Sequence, residues 1–213
     1  MHCIVTAGPT YEPIDQVRRL TNHSTGKLGS GLARHLADSG HKVTLLRGCL
    51  ATYNELSEGV NLHTFTTTKD LAEKLERLAD VHAVFHTAAV SDFAAGQVFR
   101  RNANGQLEPL NTGKTGSRDG DLLLQLKPTP KIIASLRAWF ANALLVGWKY
   151  EVDGDRDSAV GQGRAQISDN QTNGCVVNGP AYGDGFGWLT NDGPAEYLPN
   201  QAELYAKLAA LAK

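Results

Sequence analysis

No stretch of about 18 apolar residues occurs in this 213-residue chain, so the sequence offers no membrane-spanning helix. Excess charge of either sign is also missing. The 21 Lys and Arg stand against 22 Asp and Glu, for a net charge of −1. That balance leaves no electrostatic footprint for nucleic acid or an anionic membrane. Cysteine is scarce. Cys3, Cys49 and Cys175 are odd in number and widely spaced, which argues against a disulfide framework or a zinc site. They read as reduced thiols that pack like small apolar residues. The N-terminus, MHCIVTAG, has neither the basic flank nor the long apolar region of a signal peptide. A cytoplasmic location is therefore expected. No repeat and no linker interrupts the chain, and its length suits one domain, 1–213, with a substantial core.

Several familiar motifs are missing too. Gly26-Lys27 has Thr21 where a Walker loop needs its first glycine, and Leu28 where it needs Ser or Thr. Gly26, Gly29 and Gly31 do not follow the dinucleotide spacing, and 17 residues separate Gly26 from the strand-ending Gly8. None of the six tyrosines has a lysine four residues on, so a short-chain nicotinamide reductase would lack its acid. His82 and His86 have a metal-pair spacing only on a helix. On a strand they stand roughly 13 Å apart, too far to share one ion.

What remains is an alternation of strands and helices. HCIVTAG reads as a buried strand, Leu28, Leu32 and Leu36 as one face of a helix over 26–39, and KVTLLRG as a second strand. Leu71, Leu75 and Leu78 mark a helix, and residues 83–89 a third strand. Residues 93–121 carry five glycines and few apolar side chains, a long stretch without evident secondary structure that is expected to be functional or disordered. LLLQLK (122–127) reads as the next strand. An amphipathic helix follows Pro130, then strand 143–150, a polar helix over 155–172, strand 174–179, two short strands, and a closing helix over 200–212. The alternation predicts an α/β fold with a parallel sheet covered on both faces. Such sheets bind ligands at the carboxyl ends of their strands, here after Gly8, Ala89, Lys127, Tyr150 and Asn178.

The polar residues gather at those ends. In TNHSTGKLGSG, Ser24 and Thr25 are suitable N-caps, and the following helix aims its free N–H groups at the loop, as a phosphate would require. Tight helix–sheet packing by Gly29 and Gly31 is the plainer reading. Glu12, Asp15, Arg18 and Arg19 form either a recognition loop or a solvated charged one. Asn22 is an amide able to donate and accept, or a simple turn residue. Ala88 and Ala89 would admit a flat base against the backbone. Asp92 suits a ribose hydroxyl, a metal or a cap. Lys114, among glycines, is a candidate lid lysine or an ordinary surface residue. Locally, a nucleotide-using enzyme and a non-catalytic nucleotide binder both fit.

Together TAGPTYEPID (6–15), VRRLTNHSTGKLG (17–29), AAVSD (88–92), GKTGS (113–117), KPTPKII (127–133), VGWK (146–149) and CVVNG (175–179) resemble the phosphopantothenate–cysteine ligases, in their standalone bacterial form. The resemblance covers nearly the whole chain. It implies a Rossmann-like, mostly parallel sheet with helices on both faces and a flexible glycine-rich flap at 93–121. It implies ligation of 4′-phosphopantothenate to L-cysteine in coenzyme A biosynthesis, using Mg²⁺ and CTP, with ATP possible, through an acyl-nucleotide. By the same resemblance, Asn22 acts on that intermediate and Lys114 on the first half-reaction. Gly8, Ser24, Thr25, Gly26 and Lys27 line the phosphates. Ala88, Ala89, Pro130, Lys131, Ile132, Ile133, Trp148 and Lys149 contact the nucleotide, and Asp92 the ribose or metal. A homodimer is implied. Two stretches depart from the family pattern. The late-helix stretch RAQISDNQTNG (164–174) carries only Arg164 where several lysines are usual, and Asn178 is followed by Gly179. A divergent ligase for a related acid, or a binder without chemistry, is the alternative.

Overall fold

Strand β1 (His2–Ala7) is buried at all but its first residue, as a run without polar alternation requires when both faces of a sheet are covered. In this computed structural model, which describes residues 1–55, 58–110, 116 and 120–212, β1 lies inside an eight-stranded sheet, third from one edge. Its parallel neighbours are β4 (Lys42–Gly48) and β6 (Ala83–His86). Strand β5 (Val60–Phe65) extends the sheet beyond β4, and β10 (Leu144–Tyr150) and β11 (Gly174–Gly179) extend it beyond β6. Antiparallel β12 (Gly183–Leu189) and β13 (Glu196–Leu198) complete one edge. The order β5-β4-β1-β6-β10-β11 is that of a doubly wound sheet, and the chain reverses direction across it between β1 and β6.

Side chains alternate between two cores. Cys3, Val5, Phe85 and Val146 face α1 (Lys27–Asp38) and α5 (Gln201–Leu211). Ile4, Val84 and Leu145 face α2 (Thr68–Glu76) and α3 (Ile132–Trp139). Leu32 and Leu36 of α1 are fully buried, each contributing roughly 2 kcal/mol of hydrophobic stabilisation. Polar α4 (Arg156–Asn170) is started by a reciprocal Asp155–Ser158 capping box. It reaches the sheet through Ala159, Gly163 and Ile167. Among the described residues no helix is long and apolar enough to cross a membrane.

Two expectations are corrected. The stretch 93–121 is not without secondary structure. It contains β7 (Phe93–Arg101) and β8 (Leu107–Leu110); β7 pairs with β8 on one side and with β9 (Leu122–Pro128) on the other, as a separate antiparallel arm. LLLQLK is thus a strand of that arm and not of the parallel sheet. The second concerns the loop after β1, where Tyr11–Pro13 (β2) and Arg19–Thr21 (β3) form a hairpin.

Candidate functional site

The reversal between β1 and β6 places their carboxyl ends at a crevice. The ladder runs on past both strands: Ala89 N donates to Gly8 O (3.0 Å) and Thr10 N to Ala89 O (3.2 Å). Thr10 Oγ1 accepts from Ser91 N (2.8 Å), and Thr129 donates through N to Asp92 O (2.9 Å) and through Oγ1 to Ser91 O (2.5 Å). These bonds fix the segment after β6 against the segment before α3. Between them, with the end of β10 and one face of α4, lies a cavity of about 320 Å³.

Eight of the expected site residues line it. Ala88 and Asp92 come from beyond β6, Pro130 to Ile133 from the start of α3, and Trp148 and Lys149 from β10. Lys131 is the N-cap of α3, so the next N–H groups, without intrahelical acceptors, open towards the same space. Asp92 is exposed, and its carboxylate bonds to no described residue. Lys149 is paired with Glu151 at 3.1 Å. The Trp148 indole packs against the core on the α1 side and donates to Asn178 Oδ1 (3.1 Å). Two lysines, Lys131 and Lys149, and two aspartates, Asp92 and Asp169, are among the lining residues. Arg164, considered a substitute for the missing late-helix lysines, instead donates to Gly193 O (2.7 Å) and does not line the cavity.

The other expected residues form a second group at the start of α1. Gly26 takes the left-handed conformation (φ 75°) as N-cap, with no side-chain cap. This corrects Ser24 and Thr25 as caps, although Thr25 Oγ1 accepts from Lys27 N (3.3 Å). The glycines here serve packing. A Cβ on Gly8 would come within 2.7 Å of Ala51 Cβ, one on Gly26 within 3.0 Å of the same atom, and one on Gly31 within 2.6 Å of the Tyr205 hydroxyl. Lys27 is exposed. Asn22 joins the two groups: its Nδ2 donates to Ala89 O (3.3 Å) and Val90 O (3.0 Å), and Val90 lines the cavity. With both amide protons committed, Asn22 keeps Oδ1, an acceptor. Lys114 lies outside the described residues.

The charged hairpin is occupied with its own structure. Glu12 accepts from Thr68 N (2.9 Å), Asp15 accepts from Val17 and Arg18 N, and Arg19 lies 4.4 Å over the Tyr11 ring. Burial pushes the thiols of Cys3 and Cys175 up to about 11 and about 12, which keeps them unreactive; Cys49 is exposed. His82 bonds to the His2 backbone N at the far end of β6, away from His86.

The sequence reading missed one wall and one floor residue. Gln162, Gln166, Asp169 and Asn170 line the cavity from α4, at the helical spacing that could have revealed a shared face. His86 also lines it, 7% exposed, and burial lowers its pKa to about 4.

Residues 1–195 match the model of the DNA/pantothenate metabolism flavoprotein C-terminal domain. The coenzyme A biosynthesis bifunctional protein CoaBC of Bacillus subtilis is 31% identical over the full chain, which covers 52% of that protein. A cysteine/cysteine sulfinic acid decarboxylase from an unknown prokaryotic organism is 31% identical over 88% of this chain and 48% of its own length. The chain thus spans about half the length of these relatives. Among solved structures, the DNA/pantothenate metabolism flavoprotein from Streptococcus pneumoniae superposes with a TM-score of 0.87 at 29% identity, covering 99% of this chain and 97% of that one. By this match over residues 1–195, the chain belongs to the DNA/pantothenate metabolism flavoprotein C-terminal domain family.

Proposed function

We propose that the chain ligates 4′-phosphopantothenate to L-cysteine, with CTP as the activating nucleotide and an acyl-cytidylate as intermediate. The observation that carries this reading is the joining, through Asn22, of the nucleotide-sized cavity to the polar cradle at the start of α1. A carboxylate is a poor acyl donor until its oxygen becomes a good leaving group. Activation requires a nucleotide and an acid side by side, and aminolysis requires an amine held at the same place.

In this reading the base and ribose occupy the cavity, and the phosphates meet Lys131, Lys149 and the first N–H groups of α3. Asp92 suits Mg²⁺: it is one exposed, unengaged carboxylate, and this ion commonly binds through one or two carboxylates and substrate phosphates. Bound there, the ion would offset phosphate charge. Asn22 Oδ1 accepts from the amine of cysteine and orients it. Lys114 closes over the triphosphate, so Lys114→Ala is expected to abolish pyrophosphate release. The active form is a homodimer in the cytoplasm. Exposed Phe93, Leu122 and Leu126 share one face of the antiparallel arm and offer an apolar surface for the pairing.

The test is pyrophosphate release with Mg²⁺ and 4′-phosphopantothenate, comparing CTP with ATP, with and without cysteine. Acid-dependent release with CTP, and a ligated product once cysteine is added, is the expected result. Release that needs a different acid would replace the substrate, and absence of release with either nucleotide would overturn the reading.

A further inference from the structure

His86 ends β6 and is 93% buried, yet it forms part of the cavity wall. Its Nδ1 lies 2.9 Å from Oγ1 of Thr6, a fully buried residue on neighbouring β1. The same Thr6 oxygen accepts the Ala88 N–H at 3.1 Å. A hydroxyl has one proton to give, and among the described residues the only acceptor offered to Thr6 is His86 Nδ1. Thr6 therefore donates to Nδ1, and the imidazole carries its own proton on Nε2. No described residue accepts from Nε2, so the N–H that remains belongs to the cavity.

The other buried or half-buried polar side chains around this wall are engaged. Gln166 donates to Trp148 O (3.2 Å), Ser91 donates to Phe93 O (2.8 Å), Thr129 donates to Ser91 O (2.5 Å) and Asn170 donates to Gln166 O (2.8 Å). Ala88, Val90 and Ile133 supply apolar surface nearby, whereas Lys131 is exposed and Lys149 only partly buried. Phosphate belongs with the lysines. A neutral donor on a nearly buried ring, with Ala88, Val90 and Ile133 lining the same cavity, suits a flat, uncharged group bearing an acceptor.

We propose that His86 reads the nucleobase, its Nε2–H donating to a carbonyl oxygen or unprotonated ring nitrogen on the base edge. The proposal rests on the nucleotide reading of the cavity. A base presenting a donor at that point leaves two N–H groups face to face and unsatisfied, which costs about ten- to hundredfold in affinity. His86 is thereby a specificity-determining residue, with Thr6 as the positioning residue that fixes its tautomer.

The experiment has two arms on the full chain. Nitrogen-15 NMR of the imidazoles is expected to show His86 as the neutral Nε2–H tautomer at pH 7, with its Nε2 resonance shifting when CTP and Mg²⁺ are added. Calorimetric titration with CTP, UTP, ATP and GTP is expected to show one preferred base. His86→Phe should weaken that nucleotide about ten- to hundredfold and leave the others within about twofold. An Nδ1–H tautomer, a resonance unmoved at saturating nucleotide, or a uniform loss for all four nucleotides would each overturn the proposal while leaving the cavity a nucleotide site. No binding of any nucleotide to the wild-type chain would overturn both. Should His86→Phe fail to fold, the wild-type spectra decide alone.

Discussion

Asn22 shows how much a single side chain is constrained by what it already holds. Its two amide protons are bound by the carbonyls of Ala89 and Val90, leaving one acceptor for chemistry. Asn22→Ala is expected to preserve acid-dependent pyrophosphate release and to slow acyl transfer by about 10²-fold, the scale of losing one orienting contact. Single-turnover rates of the two half-reactions check this, and wild-type transfer would refute the role. His86 makes a prediction about stability. Its folded pKa of about 4 lies below its unfolded value of 6.5, so the unfolded chain takes up a proton at higher pH than the folded one. The stability due to the neutral buried ring is complete above pH 6.5 and is lost progressively as pH falls towards 4, by on the order of 3 kcal/mol. Urea denaturation at pH 7 and pH 4.5 measures the loss. A His86→Phe chain should show a flatter pH dependence, and equal slopes would refute the assignment.

At the scale of elements, periodicity located α1, α2 and α3, whose Leu and Ile recur on one buried face, whereas α4 is polar and reaches the sheet only through Ala159, Gly163 and Ile167. It missed β5, an edge strand whose VNLHTF mixes polar and apolar residues and stays largely exposed. It missed β7 because FAAGQVFRR has no clean alternation. LLLQLK could be recognised as a strand, but which sheet it joins depends on a pairing partner some 25 residues earlier, and no local pattern encodes that. The site was legible in the same uneven way. Asp92 and the residues from Pro130 to Ile133 stood out as polar or turn-forming sequence at strand and helix ends. His86 did not, because its tautomer depends on Thr6, 80 residues away. The glycines of α1 were legible only in their plainer sense. A methyl on Gly29 would collide with Thr87 Oγ1 and come within 2.7 Å of Ala7 Cβ, and Thr87 is held by its bond to Thr6 O (2.6 Å). Gly29→Ala is expected to cost about 1–3 kcal/mol by overpacking, lowering the melting temperature by roughly 2–10 °C. An unchanged melting temperature would show that α1 can shift away from the sheet.

At the scale of the molecule, the sheet is two parallel halves that meet at β1 and β6, with the arm inserted between β6 and α3. The chain leaves the cavity wall at Asp92 and returns at Thr129, and these two residues are bonded to each other. The insertion therefore begins and ends at one point. In genetic terms it is a cassette: residues 93–128 are expected to be replaceable by a short Gly-containing turn that keeps the Asp92–Thr129 bond. Such a chain is expected to keep nucleotide binding, weakened by the loss of Lys114 over the triphosphate, and to lose ligation, because Lys114 and the proposed pairing surface go with the excised piece. Loss of nucleotide binding as well would show that the arm helps shape the cavity. If the two separate, this stretch can diverge in sequence and length while the sheet beneath it keeps its nucleotide.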